Sequence, residues 1–143
     1  MGDYHLQGQF DIATSPAEVR KWLDNPEGIA GWWSDSVKGA ASKKGDRFEV
    51  RFPTTDVVFE LAVTEASPER IEWHIAQNPP WWQGTTIRFD LTEEEEGTRL
   101  LFSHRDFDPD NPVIPVITPA WMQFLFNLKD VAESGQPNPA VVN

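Results

Sequence analysis

The sequence predicts an α+β domain in which an antiparallel sheet of about six strands grips one long carboxy-terminal helix, with two short helices after the first strand. Three observations carry this. Between Arg47 and Arg105 apolar side chains recur at every second position through successive segments, the period of half-buried strands. Turn residues separate those segments at short intervals, as an antiparallel meander requires. After Thr118-Pro119, helix formers run to Glu133 with Trp121, Phe124, Leu125, Leu128 and Ala132 on one stripe.

Taken in order, Leu6 to Thr14 alternates, with Leu6, Gly8, Phe10 and Ile12 on one face. Ser15-Pro16-Ala17-Glu18 then reads as a capping box with proline at the first helical position. The short helix it opens carries Val19, Trp22 and Leu23 and ends before Pro26. Pro26 to Trp33 suggests one more helical turn, bent at its glycines, with two adjacent indoles behind it. From Arg47 the strands present Phe48, Val50 and Phe52, then Val57, Phe59, Leu61 and Val63, then Ile71, Trp73 and Ile75. Ile87, Phe89 and Leu91, and finally Leu100, Phe102 and His104, complete the set. Pro53-Thr54-Thr55-Asp56, Ser67-Pro68-Glu69, Asn78-Pro79-Pro80 and Glu96-Gly97 are the turns. The long helix is expected from Thr118-Pro119 to Glu133, stopped by Ser134-Gly135. Residues 1–137 form one domain, and 138–143 are expected to fray.

Composition excludes several functions. Twelve Lys and Arg against 23 Asp and Glu give a formal charge of −11. Such a chain repels phosphate backbones and anionic lipid, so neither nucleic acid nor membrane insertion is expected. No apolar run is long enough for a membrane span, and the first residues lack a signal pattern. Without cysteine there is no disulfide, thiolate nucleophile or Cys-type metal site. That fits the cytoplasm, the expected compartment. Seven Trp and nine Phe beside one Tyr announce an aromatic core.

Several motifs resemble a known family. Phe10 to Val19, Pro26-Glu27-Gly28 and Gly31-Trp32-Trp33 are similar to the opening of START-like proteins of the heat-shock-protein ATPase activator homologue (Aha-type) group. Trp82-Gln83-Gly84-Thr85, the strand Thr98 to His104, and Trp121 with Phe124 to Lys129 resemble its later motifs. The likeness spans about residues 8 to 137. It implies the helix-grip fold with a cavity between sheet and helix, and a superfamily that binds lipids, sterols or polyketides, a few members catalysing cyclisation or hydrolysis.

The candidate lining for such a cavity is Trp33, Phe48, Phe59, Trp73, Phe89, Phe102, Trp121 and Leu125, with Trp33 closing one end. Aromatic walls with few polar groups suit a small apolar or amphipathic molecule, unless the rings fill one another's space. His104 shares the inward face of its strand. An imidazole there either anchors a ligand or acts as a general base, or is a structural histidine tied to backbone near the strand end. His5, His74 and His104 make no metal set, and no cofactor is implied. Glu93 to Glu96 reads as a solvated turn and Asp106 to Asn111 as a capped loop, not as calcium loops. No catalytic motif is recognisable. The leading reading is a ligand-binding START-like domain. The alternatives are a co-chaperone-like interaction module or homodimer, favoured by an exposed patch at Met122 and Phe126, and a cyclase or hydrolase using His104.

Overall fold

A computed structural model describes residues 2–143; Met1, the start of the segment inspected for a signal, lies outside them. Strand β1 (Tyr4–Ile12) buries Leu6, Phe10 and Ile12. The Ser15 side chain accepts from the Glu18 amide at 3.2 Å and starts α1 (Pro16–Arg20). Only this half of the capping box forms. The exposed Glu18 carboxylate turns to the Lys21 ammonium, 3.0 Å away. Asn25 accepts from the Gly28 amide at 2.7 Å and opens α2 (Pro26–Ala30). A Cβ at Gly28 would stand 2.0 Å from the Lys21 carbonyl oxygen, so the two short helices meet there only because the residue is glycine. That approach delivers Trp32 and Trp33 into the core, both fully buried.

The remaining strands are β2 (Val37–Gly39), β3 (Arg47–Val50), β4 (Phe59–Ala66), β5 (Arg70–His74), β6 (Thr86–Glu94) and β7 (Gly97–Phe107). A 3₁₀ turn at Pro80–Trp82 separates β5 from β6. The sheet has seven strands in the order β1-β7-β6-β5-β4-β3-β2, with every neighbouring pair antiparallel. The strand beyond the expected six is β2, three residues whose pairing with β3 leaves too short a segment to show a period. Burial alternates as predicted: Ile71 and Trp73 on β5, then Ile87, Phe89 and Leu91 on β6, point inward. On the outer face Arg70 sits opposite Asp90 and Glu72 opposite Arg88, and both pairs form ion pairs, at 2.6 and 2.9 Å.

Helix α3 (Ile114–Ser134) begins four residues before the expected Thr118-Pro119 start. The Val113 carbonyl already accepts from the amides of Val116 and Ile117, so the first turn forms upstream. Thr118 is not a cap; its hydroxyl donates to the Ile114 carbonyl at 2.6 Å. Pro119 lacks only the N–H that would reach the carbonyl of Pro115, a residue open to water. The buried face of the helix is Ile117, Trp121, Leu125, Leu128, Val131 and Ala132, with Phe124 half-buried at its margin.

The tail does not fray. The amides of Asn138, Ala140 and Val141 donate to the carbonyls of Gly31, Trp32 and Trp33 at 2.8, 3.2 and 2.9 Å. The Asp35 amide returns a bond to Val141, giving a parallel bridge between Ser34 and Val141. Asn127 on α3 donates to both Trp32 and Asn138 carbonyls. Backbone pairing, which leaves no apolar signature, holds this segment. Among the described residues no helix is long and apolar enough to cross a membrane.

Candidate functional site

Trp33 lies at the centre of the core rather than at one end. Its ring stacks on Trp32, Trp73 and Trp82 at centroid distances of 5.7, 6.3 and 6.5 Å, and tilts against Trp121 at 5.3 Å. Behind it Trp73 meets Phe48 and Phe89 edge-on at 5.0 and 4.9 Å, and Phe89 meets Phe102 at 5.4 Å. Phe48, Trp73, Phe89, Phe102 and Leu125 are thus packed in the interior, none more than 2% exposed. The rings occupy one another's space there.

The opening lies to one side. Between the 3₁₀ turn, the loop leading into β4 and the first turns of α3 is a cleft of about 160 Å³, lined by Trp33, Phe52, Phe59, Trp81, Trp82, Ile117, Ala120, Trp121 and Phe124. Of the predicted lining, Trp33, Phe59 and Trp121 reach it. The other six walls were not singled out for a site. Trp81 and Trp82 stand in a proline-flanked turn, where no strand or helix period marks a direction. Phe52 and Phe59 touch edge-on at 4.7 Å, which folds the loop between β3 and β4 against the cleft. Trp81, 39% exposed, stands at the mouth.

His104 faces inward, as the alternation of β7 predicts, but it does not line the cleft. Trp121 Nε1 donates to its Nδ1 at 3.0 Å. An indole nitrogen is only a donor, so Nδ1 carries no proton and Nε2 does. Nε2 lies 2.9 Å from Thr85 Oγ1, which in turn donates to the Trp82 carbonyl at 2.6 Å. Both ring nitrogens and the Thr85 hydroxyl proton are engaged in this chain. Burial pushes the imidazole pKa down to about 3, so the ring is neutral at physiological pH. His104 therefore fixes Trp121 on the helix and Trp82 on the turn, two walls of the cleft. It acts as a positioning residue, with no ring nitrogen left for a ligand.

Among the described residues no charged or titratable side chain lines the cleft. Among the described residues no group of three or more His, Asp or Glu is placed to hold a metal ion. The arrangement offers apolar contact area and indole edges.

A seven-stranded sheet wrapped on one long helix, with an aromatic opening beside that helix, defines a START-like helix-grip protein. The chain belongs to the Activator of Hsp90 ATPase homolog 1-like protein family, whose model matches residues 10–133. The solution structure of the Aha1 dimer from Colwellia psychrerythraea is similar to it, with a TM-score of 0.82 and 28% identity over 92% of this chain and 98% of that one. A crystal structure of a protein from Mesorhizobium loti shares the fold, with a TM-score of 0.78 and 20% identity over 92% and 98% of the two chains. So does DynU16, a protein of the dynemicin biosynthetic locus, with a TM-score of 0.79 and 19% identity over 99% of this chain and 51% of that one. No curated protein matches the chain.

Proposed function

We propose that the protein binds a small apolar molecule in the cleft between the Pro80–Trp82 turn and α3. The observation that carries this is the cleft itself: nine uncharged residues, seven of them aromatic, around about 160 Å³ that the core rings leave open. An apolar cavity of about 150 Å³ is enough to take up benzene. Burying about 200 Å² of apolar ligand surface yields roughly 5 kcal/mol before the costs of association, so affinities in the high-micromolar to millimolar range are expected. The interior residues Phe48, Trp73, Phe89, Phe102, His104 and Leu125 support the walls in this reading. Trp33, Phe59 and Trp121 touch the ligand.

Titrating single-ring hydrocarbons against the intrinsic indole emission tests it. Saturable change is expected, lost in Ala120→Trp, which fills the cleft from a half-buried helix position. Absence of any saturable response sinks the reading.

A second reading, protein interaction, is favoured by one feature. Phe126 is 58% exposed, packs edge-on to Phe10 at 5.0 Å, and with Met122 borders a groove along β1, one of the two edge strands of the sheet. The occupant this reading commits to is a second copy of the chain, since two β1 edges can pair antiparallel about a two-fold axis and the Colwellia relative is a dimer. Catalysis by His104 has no such support, because both its ring nitrogens are engaged.

A further inference from the structure

We propose that the outer face of the β2–β3 hairpin, with the loop joining its strands, is a docking surface for a short acidic segment of a partner protein. This surface lies at the end of the sheet opposite β1 and shares no residue with the aromatic cleft. Its basis is the way the cations are distributed. Residues 38–51 hold five Lys and Arg against two acidic residues, a local charge of +3. The rest of the chain holds seven against 21, or −14. Six of those seven form ion pairs, among them Arg70 with Asp90 and Arg88 with Glu72, and Arg105 is the exception. Among the described residues Lys38, Lys43, Lys44, Arg47 and Arg51 form none, and all five are exposed.

The fold gathers these five. A Cβ at Gly39, where φ is +122°, would stand 2.4 Å from the Arg47 carbonyl oxygen, so the two strands close there only around glycine. Lys38 pairs in register with Glu49. Phe48 and Val50 are buried, so Arg47 and Glu49 share the outer face. Arg51 continues that alternation, its amide donating to the Ser36 carbonyl at 3.0 Å. In the loop the Asp46 carboxylate accepts from the Ser42 and Lys43 amides at 3.0 and 3.2 Å, which holds the turn that presents Lys43 and Lys44. Glu49 is the one carboxylate left among the cations. Opposite it on β4, Glu60 marks where the acidic remainder begins.

Charge complementarity and size together select the occupant. Unpaired like charges held side by side repel one another, and an anion relieves that repulsion. From Arg47 to Arg51 the patch runs about 13 Å at a strand's rise per residue. Beyond a Debye length of about 8 Å at physiological salt the field of the acidic remainder takes over. A nucleic acid or an anionic membrane would overrun the patch and meet that repulsion, whereas a segment of about four to six acidic residues stays within it.

Three probes titrated into the ¹⁵N-labelled intact chain test this: a capped hexapeptide of alternating aspartate and glutamate, its counterpart of asparagine and glutamine, and hexathymidylate. The acidic peptide is expected to shift the amides of residues 38–51 saturably, at least tenfold more weakly in 300 mM than in 30 mM NaCl, and the neutral one not at all. Arg47→Glu should weaken the acidic peptide at least fivefold, and Arg105→Glu, the same charge change outside the patch, less than twofold. Lys43→Gln combined with Lys44→Gln supplies the comparison if Arg47→Glu does not fold. Equal weakening by the two reversals overturns the site, because net charge alone then governs binding. Hexathymidylate binding as tightly as the peptide overturns the choice of a protein segment. Concentration-dependent shifts of the same amides in the protein alone make a second copy the occupant and overturn it too. No saturable shift with the acidic peptide overturns the proposal outright, and leaves the lysines as guards of the edge strand.

Discussion

Protonating His104 would set two donors against each other. Trp121 Nε1–H already occupies the direction of Nδ1, and the ring is wholly buried. The unfolded imidazole takes up its proton near pH 6.5, whereas the folded one resists until about pH 3. Protons therefore bind the unfolded chain first. Stability is complete above pH 6.5 and drains away as pH falls, by about 2 kcal/mol between pH 6.5 and 5. Asp35, held low by the Asn143 side chain, and Glu133, held low by Lys129, add their own losses only nearer pH 4. Urea midpoints at pH 7 and pH 5 should show the drop in the wild type and a much flatter response in His104→Asn. A wild type equally stable at both values contradicts the assignment. The inward direction of this residue was legible in the alternation Leu100, Phe102, His104. Its partners were not, because Thr85 and Trp121 are brought to it by the 3₁₀ turn and the helix, and no local pattern records either approach.

At the scale of elements, strands with a period of two and a helix with a wide apolar stripe could be read directly, because a buried face imposes its spacing on the sequence. Elements held by backbone alone could not. Strand β2 is three residues long, and the tail from Asn138 to Asn143 contains no repeating apolar face, yet both pair with neighbours. Thr118-Pro119 imitates a helix start because proline and a hydroxyl are tolerated within the first turns as well as before them. The docking of the tail gives a test. Asn127 donates to Trp32 and Asn138 together, bridging α3, the Trp32–Trp33 segment and the tail. Asn127→Ala should cost about 0.5–1.5 kcal/mol by removing one of the two bonds the Trp32 carbonyl accepts. Hydrogen exchange at the amides of Val141 and Asp35 should accelerate at least tenfold over the β6–β7 ladder. Unchanged protection at both would show the tail held without the bridge.

For the whole molecule the unpaired side of β1 is the feature with the widest reach. Its inward-facing residues include Leu6 and Phe10, while Gln7, Gln9 and Asp11 face out, and no lysine or proline within the strand blunts the edge. Gly8 leaves room for Met122, whose Cε would lie 3.0 Å from any added Cβ. Self-association through this edge and the neighbouring Phe126 should appear in sedimentation equilibrium as a dimer at high concentration. Phe126→Glu, which places a carboxylate on each side of the two-fold, should weaken it by at least tenfold while leaving the melting temperature within a few degrees. A wild type that stays monomeric at millimolar concentration rules the interface out.

The aromatic core carries one consequence of another kind. Trp32, Trp73, Trp82 and Trp121 all lie within 32° of the plane of Trp33, with centroids 5.3 to 6.5 Å from it. At such separations the excited states of neighbouring indoles mix, and a photon absorbed by one ring is shared with the rest before it is re-emitted. The five are therefore expected to couple, giving an exciton signature in circular dichroism and depolarised emission even when the molecule is held rigid. Anything that displaces Trp33 alone is then seen as a change in the light from all of them.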